Sequence, residues 1–138
     1  MKLIFVDYEE KYAIMEFLGE WNDCVTNDIM YLKRDIIDPL ISKGISKFVL
    51  ICENVLNFHG SDYCYYEEWR EDIAGRRGYV AMINMLQHVE EEMRMTRIND
   101  FAYLGGPLNE IRWRGAKPRN LLALIDQLVG VIPRELYG

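Results

Sequence analysis

Residues 48–52 form an uninterrupted apolar run, Phe-Val-Leu-Ile-Cys. A short run of this kind is typical of a strand covered on both faces, as in parallel sheets with helices packed above and below. We therefore expect residues 47–52 to form the central strand of an α/β domain. The first and second predicted helices are expected to flank this strand, because both of its faces must be buried.

Four further segments have strand patterns. Apolar runs at 2–8 and 12–18, joined by Glu9-Glu10-Lys11, predict an antiparallel hairpin at the start of the chain. Residues 79–86 predict a buried strand, although the start of a helix is also compatible with their Ala and Met content. Residues 101–104 predict a last short strand.

Helical patterns alternate with these strands. Apolar residues at spacings of three and four predict a first helix over 27–43, in which Pro39 should kink or interrupt the last turns. Composition predicts a second helix over 61–74. Periodicity predicts two more, over 87–97 and 118–129. Residues 53–60 and 105–117 are expected to be loops.

The predicted order is β-β-α-β-α-β-α-β-α, a mixed sheet of about five strands with four helices. With 138 residues and no internal repeat or linker, the chain is expected to form one domain over 1–138. The net charge of −6 disfavours nucleic acid as a partner. No apolar stretch approaches the length of a membrane span, and the acidic start is unlike a secretory signal, so a cytoplasmic location is expected.

The three cysteines indicate neither a disulfide framework nor a metal site. The chain has an odd number of cysteines, Cys24, Cys52 and Cys64, and no C-x-x-C pair. This pattern favours reduced thiols. His59, Cys64, Glu67 and His88 lack repeated ligand spacing, so no metal and no cofactor is expected. A hydrolase built on Ser61 with a histidine is disfavoured, since no nucleophile-elbow sequence surrounds the serine.

Several local motifs accompany this order of elements. Gly19-Glu20-Trp21-Asn22-Asp23 follows the second strand, and Gly44 ends the first helix. After the buried strand, the chain reads His59-Gly60-Ser61-Asp62-Tyr63. The motif residues that remain are Val55, Phe58, Gly78, Val89 and Ile98.

Together these features resemble the STAS domain, the fold of bacterial anti-sigma-factor antagonists, over nearly the whole chain. In that family the buried strand is followed by an Asp-Ser-Ser-Gly loop with a phosphorylatable Ser; here only Ser61 is retained. The resemblance implies a non-enzymatic regulator of transcription that binds a kinase-like anti-sigma factor or a related regulator. It implies phosphorylation at Ser61 and a partner surface comprising His59, Gly60, Asp62, Tyr63, Tyr66 and Trp69.

Ser61 has two interpretations that the sequence leaves open. Its position at the start of the second predicted helix suits an N-cap, with or without regulatory phosphorylation. The aromatic residues that follow, Tyr63, Tyr65, Tyr66 and Trp69, cannot all point inward from one helix. At least one is therefore expected at the surface.

A cluster of positive charge supplies the alternative function. Arg112, Arg114, Lys117 and Arg119 lie close together in the sequence and could hold an anion or a lipid head group, which would make the chain a small-ligand or lipid-responsive domain. The same cations could instead pair with the acidic clusters Glu67-Glu68 and Glu90-Glu91-Glu92 on a solvated surface.

Overall fold

The computed structural model describes residues 1–131, and these form one mixed sheet covered by helices. The strands lie in the order β1-β2-β3-β4. They are β1 (Lys2–Asp7), β2 (Tyr12–Asn22), β3 (Lys47–His59) and β4 (Tyr79–Ile83). β1 and β2 pair antiparallel, whereas β2, β3 and β4 are parallel. The predicted hairpin and the mixed sheet are confirmed.

β3 is the interior strand that the apolar run predicts. It lies between β2 and β4, and every side chain from Phe48 to Cys52 is fully buried. The strand is longer than predicted, because residues 53–59 continue the pairing with β2 as far as His59. The prediction of a loop over 53–60 is therefore wrong. Val55 and Phe58 are buried in this extension and give it an apolar anchor.

The helices cover the two faces of the sheet unequally. α1 (Asp28–Leu32), a π-helical turn (Lys33–Ile37) and α2 (Asp38–Ser42) form one helical segment, followed by α3 (Cys64–Ala74), α4 (Gln87–Met95) and α5 (Pro118–Val131). The first helical segment, α3 and α4 pack on one face of the sheet, against Phe48, Leu50 and Cys52. On the opposite face, at Val49 and Ile51, α5 packs together with Leu108 and Ile111 of the segment before it. The first two predicted helices thus share a face and do not flank β3 from both sides.

The helix interruption expected near Pro39 is the π-helical turn. In this turn the backbone amide of Asp38 donates to the carbonyl of Lys33. Pro39 then lies in the first turn of α2, where a missing backbone N–H leaves no bond unmade. The turn places the buried ammonium group of Lys33 against the carboxylates of Glu68 and Asp72, at 2.9 Å and 2.8 Å. This ion cluster joins the first helical segment to α3.

The fifth predicted strand is reduced to one bridge. Tyr103 pairs with Ala81 of β4 through two backbone hydrogen bonds of 2.8 Å, and its neighbours do not extend the ladder. Short 3-10 helices at Ile98–Asp100 and Gly106–Asn109 bracket it and leave the chain extended for few residues. None of the helices in residues 1–131 has the length and apolar content that crossing a membrane requires.

Candidate functional site

The carboxyl ends of β2 and β3 lie side by side and lead into two neighbouring loops. Asn22 is paired with His59 at the end of both strands. The backbone amides of Asp23 and Cys24 both donate to the carbonyl of His59, at 2.9 Å and 3.1 Å. Crevices at the carboxyl ends of parallel strands are where α/β proteins place their binding sites. The loops 23–27 and 60–63 form such a crevice here.

Ser61 lies in this crevice, which has a volume of about 330 Å³ and is called the Ser61 opening below. Its lining residues are Asp23, Cys24, Val25, Asn27, Ile29, Ser61, Asp62 and Tyr65. The side chain of Ser61 is exposed. Within residues 1–131, its hydroxyl has no hydrogen-bond partner, so its oxygen is available to an incoming group.

The start of α3 differs from the prediction. The helix begins at Cys64, with Tyr63 at the N-cap position and no side-chain capping bond there. Asp62 Oδ1 instead accepts a hydrogen bond of 3.0 Å from the backbone amide of Cys64. A carboxylate two residues before an amide is well placed for this local bond. The prediction that Ser61 caps the helix is therefore wrong.

Gly60 fixes the path of the loop before Ser61. A Cβ atom at Gly60 would lie 2.4 Å from Cγ2 of Thr96 and 3.0 Å from the ring of Phe58. Glycine is required because the backbone runs directly against the carboxyl end of α4, whose last turn is followed by Thr96. Gly60 therefore positions the site and presents no side chain to a partner.

A buried carboxylate lies at the back of the Ser61 opening. Asp23 accepts hydrogen bonds from the indole N–H of Trp21 at 3.0 Å, the amide of Ile29 at 2.8 Å and the hydroxyl of Tyr66 at 2.6 Å. Burial raises the pKa of Asp23, while these donors act in the opposite direction. The network ties the β2 to α1 loop to α3. In the sequence, Asp23 stands out only as part of a motif; its buried role follows from the convergence of the two loops.

The aromatic residues after Ser61 divide between core and surface. Tyr66 and Trp69 are 2 % and 1 % exposed, and with Ile73 they form the inward face of α3. Their side chains lie beneath the surface around Ser61, and their contact with a partner stays a prediction. Tyr63 and Tyr65 are half-buried. The guanidinium groups of Arg97 and Arg34 lie 5.3 Å from their respective ring centres.

The titratable groups near Ser61 do not assemble a nucleophile or a metal centre. A hydrogen bond to the carboxylate of Asp62 raises the pKa of the exposed Cys64 thiol, which disfavours its thiolate. His88 contacts the carbonyl of Leu56 at 2.6 Å and makes no bond with Ser61. Among residues 1–131, the one group with metal-ligand geometry is Asp38, Glu68 and Asp72, and the ammonium group of Lys33 already pairs with all three.

The four cations of the alternative site lie apart, and Arg114 is the one among them that forms ion pairs within residues 1–131. Arg114 donates to Glu53 of β3 at 3.0 Å and stacks over Trp113 at 4.4 Å, and the indole of Trp113 donates to the same carboxylate. Arg119 lines an opening whose other charged residues are acidic: Asp7, Glu9, Glu10 and Asp126. Arg112 and Lys117 are exposed. This arrangement favours the solvated, ion-paired interpretation of the basic loop over an anion site.

The fold is similar to that of solved structures described as anti-sigma factor antagonists. A crystal structure from Thermotoga maritima, provisionally assigned as an anti-sigma factor antagonist, matches with a TM-score of 0.57 and 18 % identity over 73 % of this chain and 81 % of that one. SpoIIAA in its unphosphorylated form matches with a TM-score of 0.56 and 10 % identity over 94 % and 98 % of the two chains. The phosphorylated form of SpoIIAA, a Bacillus cell fate determinant, matches with a TM-score of 0.54 and 9 % identity over 92 % and 97 %.

The chain therefore has a STAS-like fold, as the sequence motifs predict. No protein-family model matches the sequence, and no curated protein is significantly similar to it.

Proposed function

We propose that this chain is a regulatory protein-binding module of the anti-sigma-factor antagonist type. In this proposal it docks on a kinase-like anti-sigma factor through the Ser61 opening and its rim, and phosphorylation of Ser61 releases the partner. The observation that carries the proposal is the exposed, unbonded hydroxyl of Ser61 at the carboxyl edge of the sheet.

The surface around Ser61 has the composition of a protein contact. His59, Asp62 and Val25 are exposed, the last to 80 %. Tyr63 and Tyr65 add half-buried aromatic rings, each next to an arginine. Tyrosine and arginine are enriched among residues that dominate binding energy at interfaces. Tyr65 lies in α3 and Tyr63 at its N-cap position, and side chains that are already held in place lose less entropy on binding.

A phosphate on Ser61 would act on binding without stabilising the fold. It adds about −1.5 to −2 charges at pH 7 beside Asp62, in an opening whose back is formed by Asp23. Ser61 precedes the first residue of α3 by three positions, and Asp62 already accepts the bond from the Cys64 amide. The added charge is thus left to repel an acidic or apolar partner surface. The neighbour SpoIIAA has been solved in both phosphorylated and unphosphorylated forms.

The test separates charge at Ser61 from charge elsewhere. The partner is captured from the native host with the wild-type chain, identified, and titrated against Ser61→Glu, Ser61→Ala and the matched control Ser42→Glu. Ser42 is also exposed but lies at the end of α2, distant in sequence from the opening. Ser61→Glu should weaken binding more than about tenfold, equivalent to roughly 1.4 kcal/mol. Ser42→Glu and Ser61→Ala should bind like the wild type.

Stability and modification supply two further readouts. Because Ser61 caps no helix, Ser61→Ala should change the free energy of unfolding by less than about 0.5 kcal/mol. Incubation with the captured partner and ATP should add one phosphoryl group, as measured by intact mass, and Ser61→Ala should abolish the addition. Equal partner binding by the wild type and Ser61→Glu would remove the switch. A partner without a kinase-like domain would remove the finer assignment but leave the binding module.

A further inference from the structure

A second cavity lies between the end of β2 and the first helical segment, separate from the Ser61 opening. Its volume is about 360 Å³, within the range of small-molecule sites. Trp21 and Val55 form its buried floor, at 5 % and 1 % exposure. Leu18 and Tyr31 stand at its mouth with more than half of their side chains exposed. This cavity is called the β2–α1 cavity below.

Aromatic rings form much of its wall. Phe17, Trp21 and Tyr31 all line it, and the first two rings lie 4.8 Å apart. Leu32 and Ile36 add aliphatic surface from the helical segment. Ring faces carry partial negative charge and attract organic cations, most strongly where water is excluded. The wall therefore suits an apolar body attached to a positive group.

The charged groups at the rim have the complementary sign. Glu20, Asp28 and Asp35 line the cavity, and none of the Lys, Arg and His side chains within residues 1–131 does. Asp28 is fixed by hydrogen bonds from the Asn22 amide at 2.7 Å and the Thr26 hydroxyl at 2.8 Å. Glu20 and Asp35 are exposed, and neither forms an ion pair within residues 1–131. Among the residues that the structure describes, the charged side chains of the lining are therefore all acidic.

We propose that the β2–α1 cavity binds a small organic ammonium ion that carries an apolar body. The apolar body lies against Trp21 and Tyr31, and the ammonium group lies at the mouth between Glu20 and Asp35. This site is independent of the Ser61 proposal, because the β2–α1 cavity and the Ser61 opening share no lining residue among those described.

The test uses two probes that share an apolar body and differ in charge. Phenylethylammonium is protonated at neutral pH, whereas phenylethanol carries a neutral hydroxyl in the same place. Titration of the full chain followed by amide NMR should shift Gly19, Glu20 and Tyr31 with the ammonium probe. Its dissociation constant should be at least about tenfold lower than that of phenylethanol. Equal binding of the two probes, or shifts confined to other residues, would overturn the proposal.

Matched variants separate this rim from the overall negative charge of the chain. Glu20→Gln combined with Asp35→Asn should remove the preference for the ammonium probe. Glu9→Gln combined with Glu10→Gln makes the same change in charge at the other end of β2 and should retain it. Leu18→Ser should weaken both probes, and Leu56→Ser, at the same 55 % exposure but outside the cavity, should not. All six positions are exposed at the surface, so folding is expected to be preserved.

A third probe tests a macromolecular occupant. A short amphipathic peptide of Leu and Lys is titrated under the same conditions. If the peptide shifts the cavity residues and phenylethylammonium does not, the cavity is a docking groove for a protein segment and the ammonium proposal fails.

Discussion

The two halves of β3 are built in different ways. Residues 48–52 are buried on both faces, between α5 and the layer of helices that contains α3. Residues 53–59 bury only Val55 and Phe58 and expose Leu56, Asn57 and His59. The first half holds the sheet together. The second half is buried on one face, where Val55 and Phe58 join the core beneath α3 and α4, and it leads into the Ser61 loop.

The largest expected effect compares one leucine from each half. Leu50 is fully buried, so Leu50→Ala should lower the free energy of unfolding by about 2 to 5 kcal/mol. Leu56 is 55 % exposed, so Leu56→Ala should change it by less than about 0.5 kcal/mol. Urea denaturation of both variants measures the difference. Similar midpoints for the two would show that the halves do not differ as described.

The same contrast explains what the sequence could predict. The continuous apolar run at 48–52 needs no knowledge of its neighbours to be assigned to a buried strand. In the second half, the register with β2 shifts between Glu16 and Leu18 and again between Gly19 and Glu20, each time adding one residue to β3. The buried residues Cys52, Val55 and Phe58 are therefore three apart. Strict alternation is lost, and the segment looks like a loop.

The candidate site was predictable to a similar degree. The position of Ser61 after the buried strand follows from the order of elements and the resemblance. The prediction that Ser61 caps α3 failed, because Asp62 accepts the bond from the first amide of the helix. The inward face of α3 follows the helical spacing of Tyr66, Trp69 and Ile73, but the resemblance had implied a partner contact for the first two. The ion cluster at Lys33 was not, since it depends on a π-helical turn that no residue pattern specifies.

An intermediate effect is expected at the junction between β3 and the Ser61 loop. The added methyl group of Gly60→Ala would overlap Thr96, so the variant should lose about 1 to 3 kcal/mol of unfolding free energy. Thr96→Ser removes the overlapping Cγ2 and keeps the hydroxyl that donates to the carbonyl of Glu92 at 3.0 Å. The double variant should therefore regain part of the loss.

Gly75→Ala provides the matched control for this experiment. Gly75 ends α3 in a right-handed conformation, and a Cβ there would meet nothing within 4 Å. Its stability should be unchanged or slightly higher. If Gly60→Ala and Gly75→Ala behave alike in thermal denaturation, Gly60 does not set the path of the loop.

The smallest effect on stability is expected at His59, where the backbone and the side chain have separate roles. The carbonyl of His59 accepts both amides that begin the β2 to α1 loop, and His59→Ala leaves that carbonyl in place. The imidazole is exposed, so the free energy of unfolding should change by less than about 0.5 kcal/mol. If the edge of β3 is the partner surface, the same variant should weaken binding of the captured partner about fivefold, equivalent to roughly 1 kcal/mol.

His88→Ala is the control, because His88 contacts β3 at the carbonyl of Leu56 and lines no part of the Ser61 opening. Isothermal titration of both variants against the partner gives the comparison. Unchanged affinity for His59→Ala would confine the contact to the loop beyond β3, and a large loss of stability would mean that the imidazole helps to hold the second half of the strand.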